Sequence, residues 1–164
     1  MNVVSCLGCG GLYPDIDGPT HRYMASSAGC WAAFGEVLAR EYSDPVYFEI
    51  HRLTVDAYAV QHPGQPSPQC IKSVGHHLIR LCLLLERGLT MGRANEAMLA
   101  ITKTKENFIW LSPPSSLGSI TVANVHAATT AEQHKQMVRS WAASAWAAWS
   151  VHHPTIYRWL PILK

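Results

Sequence analysis

Cys6-Leu7-Gly8-Cys9-Gly10-Gly11 lies inside an N-terminal segment, residues 1–25, that is rich in Gly, Pro and Asp and shows no helical periodicity. Two cysteines three positions apart can place both sulfurs on one metal ion, at about 2.3 Å for zinc. The glycines after Cys9 allow the positive φ of a tight turn, and their backbone N–H groups are free to point at the thiolates. The motif therefore predicts a zinc-binding knuckle that fixes an otherwise irregular arm.

The same cysteine pair has two other interpretations. A thioredoxin-like redox pair would need a strand before the motif and a helix that starts at it. Gly10-Gly11 disfavours that helix, because glycine destabilises a helix interior. The cysteines could also be two thiols without a special role. Among these interpretations we favour the metal site, and the cofactor that we expect is Zn²⁺.

The knuckle supplies two ligands, whereas a closed structural zinc site needs four. The nearest candidates along the chain are His21 and Cys30, which flank the start of the first predicted helix. We therefore predict a Cys3His site that would pin the arm to the helices, made of Cys6, Cys9, His21 and Cys30. The alternatives are that Cys30 is a small buried apolar residue and that His21 lies on a surface loop. His51 or His62 could also replace either one.

Length and composition limit the classes of protein that this chain can be. The 164 residues, 48% of them hydrophobic, suit one domain, 1–164, with a single core and the arm of residues 1–25 packed on it. A net charge of +2 and a charged fraction of 15% provide no basic stripe. We therefore expect neither a nucleic acid nor an anionic membrane as a partner.

Cellular location is predicted from the features of the start of the chain and from its cysteines. We see no basic, apolar leader at Met1 and no apolar run near the roughly 20 residues that span a bilayer. The five cysteines are unevenly spaced, unlike the framework of a secreted disulfide protein. We expect a cytoplasmic protein in a reducing environment.

Helical periodicity and capping signals dominate the rest of the chain and predict an all-α fold. The architecture that we expect is an irregular bundle of about five helices with an N-terminal zinc-knuckle arm. The helices are predicted at about 27–42, 45–61, 68–87 and 91–103, with a fifth that Thr129 or Thr130 caps and His152-His153-Pro154 ends. Residues 120–126 could be a short helix or strand, and a short helix near the C-terminus is predicted to hold Tyr157, Trp159 and Leu160. Trp141, Trp146 and Trp149 of the fifth helix are interpreted as core.

The second predicted helix carries three candidate catalytic residues, His51, Asp56 and His62. His51 and His62 share a stripe but lie about 16 Å apart along the axis, so an unbroken helix cannot bring both to one metal. Asp56 points about 140° away from His51 around the same helix. Since an unpaired buried acid is costly, we predict that Asp56 and His51 are at least partly buried and hydrogen-bonded, with Arg52 a candidate partner of Asp56.

The turn His62-Pro63-Gly64 ends this helix sharply. It can present His62 and Gln61 to a neighbouring helix, and the start of the third helix follows at once. We consider a pocket at this turn, which His152 and His153 could complete. The simpler interpretation is a helix stop with an exposed histidine.

Several of these motifs together resemble a bacterial family of uncharacterised proteins, domain of unknown function 5946. The motifs are Cys-x-x-Cys-Gly at 6–10, Asp-Gly-Pro-Thr-His-x-Tyr at 17–23, Ser-x-Gly-Cys-Trp at 27–31 and the whole run from His51 to Gly64. The resemblance covers nearly the whole chain and implies no activity. It implies that one set of residues belongs together in the family pattern, namely Cys6, Cys9, His21 and Cys30 with His51, Asp56, Gln61 and His62.

Two classes of function are compatible with these patterns. The favoured one is a zinc-binding helical protein whose metal is structural, acting as a binding or accessory protein for a small molecule or a protein. The alternative is a small metal-dependent enzyme of hydrolase or lyase type that uses His51, Asp56 and His62 near the metal. A catalytic zinc needs an open coordination position, so the number of protein ligands distinguishes the two.

Overall fold

The chain is described by a computed structural model over residues 1–103 and 107–162. The predicted domain 1–164 also includes residues 104–106 and 163–164, which lie outside the described residues. A two-stranded hairpin and eight α-helices make up most of the described part. In chain order they are β1 Val3–Ser5, β2 Leu12–Pro14, α1 Ala28–Ser43, α2 Pro45–Phe48, α3 His51–Gln61, α4 Pro68–Leu81, α5 Met91–Ile101, α6 Val122–His126, α7 Ala131–Ala148 and α8 His153–Trp159. A π-helical turn, Cys82–Glu86, extends α4, and a 3₁₀ turn, Ser150–His152, joins α7 to α8.

Helices α1, α4 and α7 start where their capping residues predicted. Ser27 accepts a hydrogen bond on Oγ from the N–H of Cys30 at 3.2 Å, and Ser67 does the same for Cys70 at 3.1 Å. Thr130 caps α7 in the same way. None of the described helices is both long enough and apolar enough to cross a membrane.

The arm departs from the all-α prediction, because it contains a short antiparallel hairpin. Val3, Val4 and Ser5 pair with Pro14, Tyr13 and Leu12 on either side of the knuckle. Only Tyr13 of these six residues is buried. Three-residue strands are too short to show an alternating pattern in the sequence, and the knuckle itself brings them side by side.

The second predicted helix, 45–61, is two helices rather than one. α2 ends at Phe48, and α3 begins at His51 after a turn at Glu49 and Ile50. Neither residue is a helix breaker, so the sequence contains no signal for this turn. Ile50 has φ −95° and ψ −4° and a buried side chain, which shows that the chain turns there to place Ile50 in the core.

α3 lies at the centre of the bundle, between α4 and α7. The predicted core tryptophans of α7 are buried, and two of them bond to α3. Trp141 donates from Nε1 to Oε1 of Gln61 at 2.8 Å, and Trp149 donates from Nε1 to the carbonyl oxygen of Val60 at 3.0 Å. The C-terminal end of α3 is therefore held firmly inside the protein, and His62 follows it directly.

Candidate metal centre

Four side chains from three parts of the chain converge at one buried point. Cys6 and Cys9 come from the knuckle, Cys30 from the first turn of α1, and His62 from the end of α3. Their ligand atoms all lie within 4.8 Å of one another. Sγ of Cys30 is 3.9 Å from Sγ of Cys9 and 3.3 Å from Nε2 of His62. A tetrahedral zinc site with ordinary bond lengths has edges of about 3.5–3.8 Å, so this spacing fits one ion.

The knuckle is a tight turn that its own backbone closes. The N–H of Cys6 donates to the carbonyl oxygen of Gly11 at 2.8 Å, and the N–H of Gly10 donates to that of Cys6 at 3.0 Å. Gly10 has a φ of +72°, which side-chain-bearing residues rarely adopt. This turn brings Cys6 and Cys9 to the same side of the loop.

Gly8 allows the knuckle to sit directly against the end of α3. A Cβ atom at this position would lie 2.5 Å from the carbonyl oxygen of Ala25 and 2.5 Å from Cδ2 of His62. Both distances are far below van der Waals contact, and one of the two obstacles is backbone. The knuckle can therefore approach His62 only because residue 8 has no side chain.

Cys30 is positioned by the way α1 begins. Its backbone N–H is held by the cap Ser27, and its side chain is completely buried. The preceding Gly29 packs against β2, where a Cβ atom would lie 2.3 Å from the carbonyl oxygen of Pro14. The first turn of α1 therefore meets the hairpin at close range, and the Cys30 sulfur faces the knuckle.

His62 is oriented by the residue one turn before it. Its Nδ1 lies 2.7 Å from the carbonyl oxygen of Tyr58, so the Nδ1–H donates there and Nε2 is left to face Cys30. The imidazole stacks on the Tyr58 ring, with centroids 3.8 Å apart. Pro63, the next residue, pairs with Met24 in an isolated β-bridge and so ties the arm to this turn.

Each of the three sulfurs has one hydrogen-bond donor beside it. The N–H of Ser27 lies 3.5 Å from Sγ of Cys6, and the hydroxyl of Tyr13 lies 3.6 Å from Sγ of Cys9. The hydroxyl of Tyr58 lies 3.5 Å from Sγ of Cys30. Donors of this kind offset part of the negative charge of thiolate ligands in a buried metal site. Sequence reasoning assigned no role here to the two tyrosines, since nothing in their spacing reveals that they meet the cysteines.

The pKa shifts of Cys6, Cys30 and His62 favour a thiolate at Cys6. Hydrogen bonds from Cys30 and Cys9 hold the pKa of the Cys6 thiol well below its usual range. The same contacts, with burial, raise the pKa of Cys30 above its usual range. Burial lowers the pKa of His62, but the neighbouring Cys6 and Cys9 sulfurs outweigh it and raise the value to about 9. The Cys6 thiolate and the His62 imidazolium therefore stabilise each other, and a metal ion that binds here displaces the protons of His62 and Cys30.

His21 lies outside this group of four. Its Nδ1 accepts a hydrogen bond from the backbone N–H of Tyr23 at 3.0 Å, and its ring lies 5.4 Å from that of Trp31. The structure brings together the three predicted cysteines, but the histidine beside them is His62 and not His21. His62 was one of the alternatives that the sequence offered for His21. His62 lies at the far end of α3, eleven residues after the start of the helix. Its contact with the knuckle depends on how α3 packs in the folded chain.

His51 and Asp56 are held in polar contacts away from the cysteine cluster. Both are buried or partly buried and hydrogen-bonded, as predicted: His51 Nδ1 lies 2.8 Å from Oε2 of Glu41, and Asp56 accepts from Nδ1 of His77 at 2.7 Å. Asp56 also pairs with Arg80 at 3.2 Å, so the suggested partner Arg52 is wrong. The expectation that His51, Asp56 and His62 line one cleft is therefore not met, because each bonds to a different group of residues.

The pocket that we considered at the turn after α3 is not lined by His152 and His153, the residues that were expected to complete it. His152 Nε2 lies 2.7 Å from the carbonyl oxygen of Ser112, and the His153 ring stacks on Trp146 at 3.8 Å, so neither completes it. A cavity of about 570 Å³ does lie beside Pro63 and Gly64. The rest of its lining includes Leu7, Gly8, Ala25, Gln65, Pro66, Trp110, Pro113, Pro114, Ser115 and Leu117.

Fold and site together define a helical protein whose N-terminal arm meets the bundle at a buried Cys3His cluster. The chain belongs to a family of unknown function (DUF5946), whose sequence model matches residues 4–150. The match includes all four residues of the cluster and ends before α8. No curated protein and no solved structure matches the chain.

Proposed function

We propose that Cys6, Cys9, Cys30 and His62 bind one zinc ion that is structural. The observation that carries this proposal is the spacing of the four ligand atoms, all within 4.8 Å in the folded chain. Three thiolates and an imidazole are a ligand set that zinc prefers and that magnesium and calcium do not. The hydrogen bonds that the sulfurs accept, and the one that His62 Nδ1–H donates to the carbonyl oxygen of Tyr58, are the surroundings that such a site needs.

A structural role fits the site better than a catalytic one. Four protein ligands complete a tetrahedron, and a catalytic zinc keeps one position for water or substrate. Cys6, Cys30 and His62 are also at most 3% exposed, which leaves little access for a substrate. The metal-dependent enzyme that uses His51 and Asp56 has no support in the positions of those residues.

The ion would fasten three elements that come from separate parts of the chain. It would join the knuckle to the start of α1 and to the end of α3. Most of the arm is exposed, and Cys6 and Tyr13 are its buried apolar residues in positions 1–25. The free energy of metal binding therefore contributes directly to the folding of the arm.

On this proposal the protein is a zinc-stabilised binding or accessory protein for a small molecule or a protein. None of the five cysteines, all of which are among the described residues, is in a disulfide, which suits the reducing cytoplasm in which we place the protein. Its bacterial origin stays a prediction from the resemblance.

Elemental analysis of the purified chain tests the proposal. We expect close to one zinc per chain, and Cys9→Ser should lose it. Cys70→Ser is the matched control, because Cys70 is a cysteine outside the cluster, and it should keep its zinc. Chain from which zinc has been removed should lose arm structure by NMR and unfold at a lower temperature. Metal-free chain with an unchanged spectrum and melting temperature would contradict the structural role.

A further inference from the structure

A buried carboxylate on α1 organises a second polar group, separate from the cysteine cluster. Glu41 is completely buried, and three side chains donate to it. Nδ1 of His51 and Nε2 of His134 each lie 2.8 Å from its oxygens, and the Thr54 hydroxyl donates to Oε1. Glu41 therefore joins α1, α3 and α7, and both of its carboxyl oxygens are hydrogen-bonded.

This carboxylate fixes the orientation of His51. In the neutral imidazole, Nδ1–H donates to Glu41 and the other ring nitrogen, Nε2, is the hydrogen-bond acceptor. The Tyr42 hydroxyl, on a side chain that is 69% exposed, lies 3.2 Å from Nε2. The imidazole side chain is itself 13% exposed, and its ring stacks against Phe48 with centroids 4.9 Å apart. Nε2 of His51 thus lies near the surface, where the exposed Tyr42 hydroxyl occupies the position of a hydrogen-bond donor.

His51 lies in the lining of a cavity of about 320 Å³. Arg52 and Asn95 lie in its lining and make no hydrogen bond or ion pair within the part of the chain that the structure describes. Its one acidic residue, Glu49, is paired with Lys135 at 3.0 Å. Phe48 and Met91 supply apolar walls. The cavity therefore combines a guanidinium that is unpaired among the described residues, an amide, an imidazole and an apolar surface.

We propose that this cavity binds a small organic anion that carries a hydroxyl group. Arg52 and Asn95 hold the anionic group, and Nε2 of His51 accepts the hydrogen bond of the ligand hydroxyl, which replaces that of Tyr42. The apolar body of the ligand packs on Phe48 and Met91. Guanidinium and amide groups are the usual partners of a carboxylate, and a few converging polar groups on apolar walls are typical of small-molecule sites. This proposal does not depend on the metal centre.

Calorimetric titration of the full zinc-loaded chain with four probes tests it. The probes are 2-, 3- and 4-hydroxybenzoate, which present the hydroxyl at three distances, and benzoate, which lacks it. We expect at least one hydroxybenzoate to bind about tenfold more tightly than benzoate, the effect of one well-placed hydrogen bond. Arg52→Ala should weaken every probe by about tenfold, whereas Lys72→Ala, which removes an exposed cation from α4, should change none.

His51→Asn separates binding from folding. The asparagine amide N–H can take the place of Nδ1–H towards Glu41, while the acceptor Nε2 is removed. We expect this variant to keep its melting temperature and its affinity for benzoate but to lose the preference for the hydroxyl. The proposal is overturned if no probe binds at millimolar concentration, if Arg52→Ala and Lys72→Ala behave alike, or if the hydroxyl preference persists in His51→Asn.

Discussion

Nδ1 of His62 lies 2.7 Å from the carbonyl oxygen of Tyr58, one helical turn earlier in α3. This contact sets the tautomer of the imidazole and directs Nε2 towards the sulfur of Cys30, 3.3 Å away. The same tyrosine places its hydroxyl 3.5 Å from that sulfur. One turn of α3 therefore provides a ligand, the group that orients it and a donor to a second ligand.

Removal of the Tyr58 hydroxyl should weaken zinc binding without removing a ligand. Tyr58→Phe keeps the ring that stacks on Phe34 and His62 but loses the donor to Cys30. We expect zinc affinity to fall by about ten- to a hundredfold, as for other groups that support metal ligands. Competition with a chromophoric chelator measures it. Tyr42→Phe, which removes a hydroxyl that contacts His51 and none of the four cluster residues, should leave the affinity unchanged. Equal affinity in both variants would contradict the role of Tyr58.

Gly8 and Gly35 form a matched pair of glycines with opposite expectations. Gly8→Ala would force a Cβ atom against Ala25 and His62, whereas a Cβ at Gly35 meets nothing within 4 Å. We expect Gly8→Ala to destabilise the arm and to lower zinc affinity at least about tenfold, because overpacking costs about 1–3 kcal/mol. Gly35→Ala lies in α1 and should raise stability by roughly 0.5–1 kcal/mol.

Thermal and urea unfolding, followed with zinc present, measure the stabilities of this pair. If Gly8→Ala binds zinc with unchanged affinity, the knuckle can form the metal site without close contact between residue 8 and His62.

Loss of the Glu41 carboxylate should be much more costly than loss of a surface one. Glu41→Ala leaves the donors of His51, Thr54 and His134 without their buried partner. We expect the free energy of unfolding to fall by about 3 kcal/mol or more, as when one partner of a buried charged network is removed. Glu36→Ala breaks an exposed pair with His126 and should cost less than about 1 kcal/mol. Similar losses in urea unfolding would show that the Glu41 network is not a stabilising element.

Cys82 should remain protonated at a pH where an ordinary thiol ionises. Burial, and then the nearby charge of Glu86, raise the pKa of Cys82 from 9.0 to about 11. Because the folded value is the higher one, the protonated thiol favours the folded state, and this contribution is lost as the pH rises from 9.0 towards 11. Alkylation of Cys82, followed by peptide mass spectrometry, should keep rising about tenfold per pH unit beyond pH 9, since only the thiolate reacts. A rate that levels off near pH 9 would contradict the raised pKa.

The helices and three of the four cluster residues were predictable, because their signals are local. The spacing of Cys6 and Cys9 predicts the knuckle. Cys30 follows the capping serine of α1 in the same part of the chain. The histidine was not predictable by proximity. His21 is closer along the sequence, but it bonds to the backbone of Tyr23, two residues away. His62 reaches the knuckle because α3 runs through the core and ends there.

The hydrogen-bonded network at Glu41 could not be predicted from the sequence for a different reason. Glu41 lies four residues after Val37 and seven after Phe34, on the inward side of α1, where all three are buried. An acid at a core position is a signal that a partner must exist, although it does not say which one. His134 is 93 residues away from Glu41, so the pairing depends on how α1 and α7 pack.

The central claim is tested most directly by comparing the zinc affinity of the His62→Ala variant with that of the His21→Ala variant. Both variants lose one imidazole from the N-terminal half of the chain, and chelator competition reports the effect of each on the metal. The Cys6–Cys9–Cys30–His62 site predicts that His62→Ala loses zinc affinity by orders of magnitude, while His21→Ala keeps close to one tightly bound zinc per chain. A chain that keeps its affinity without His62 and loses it without His21 would contradict the account.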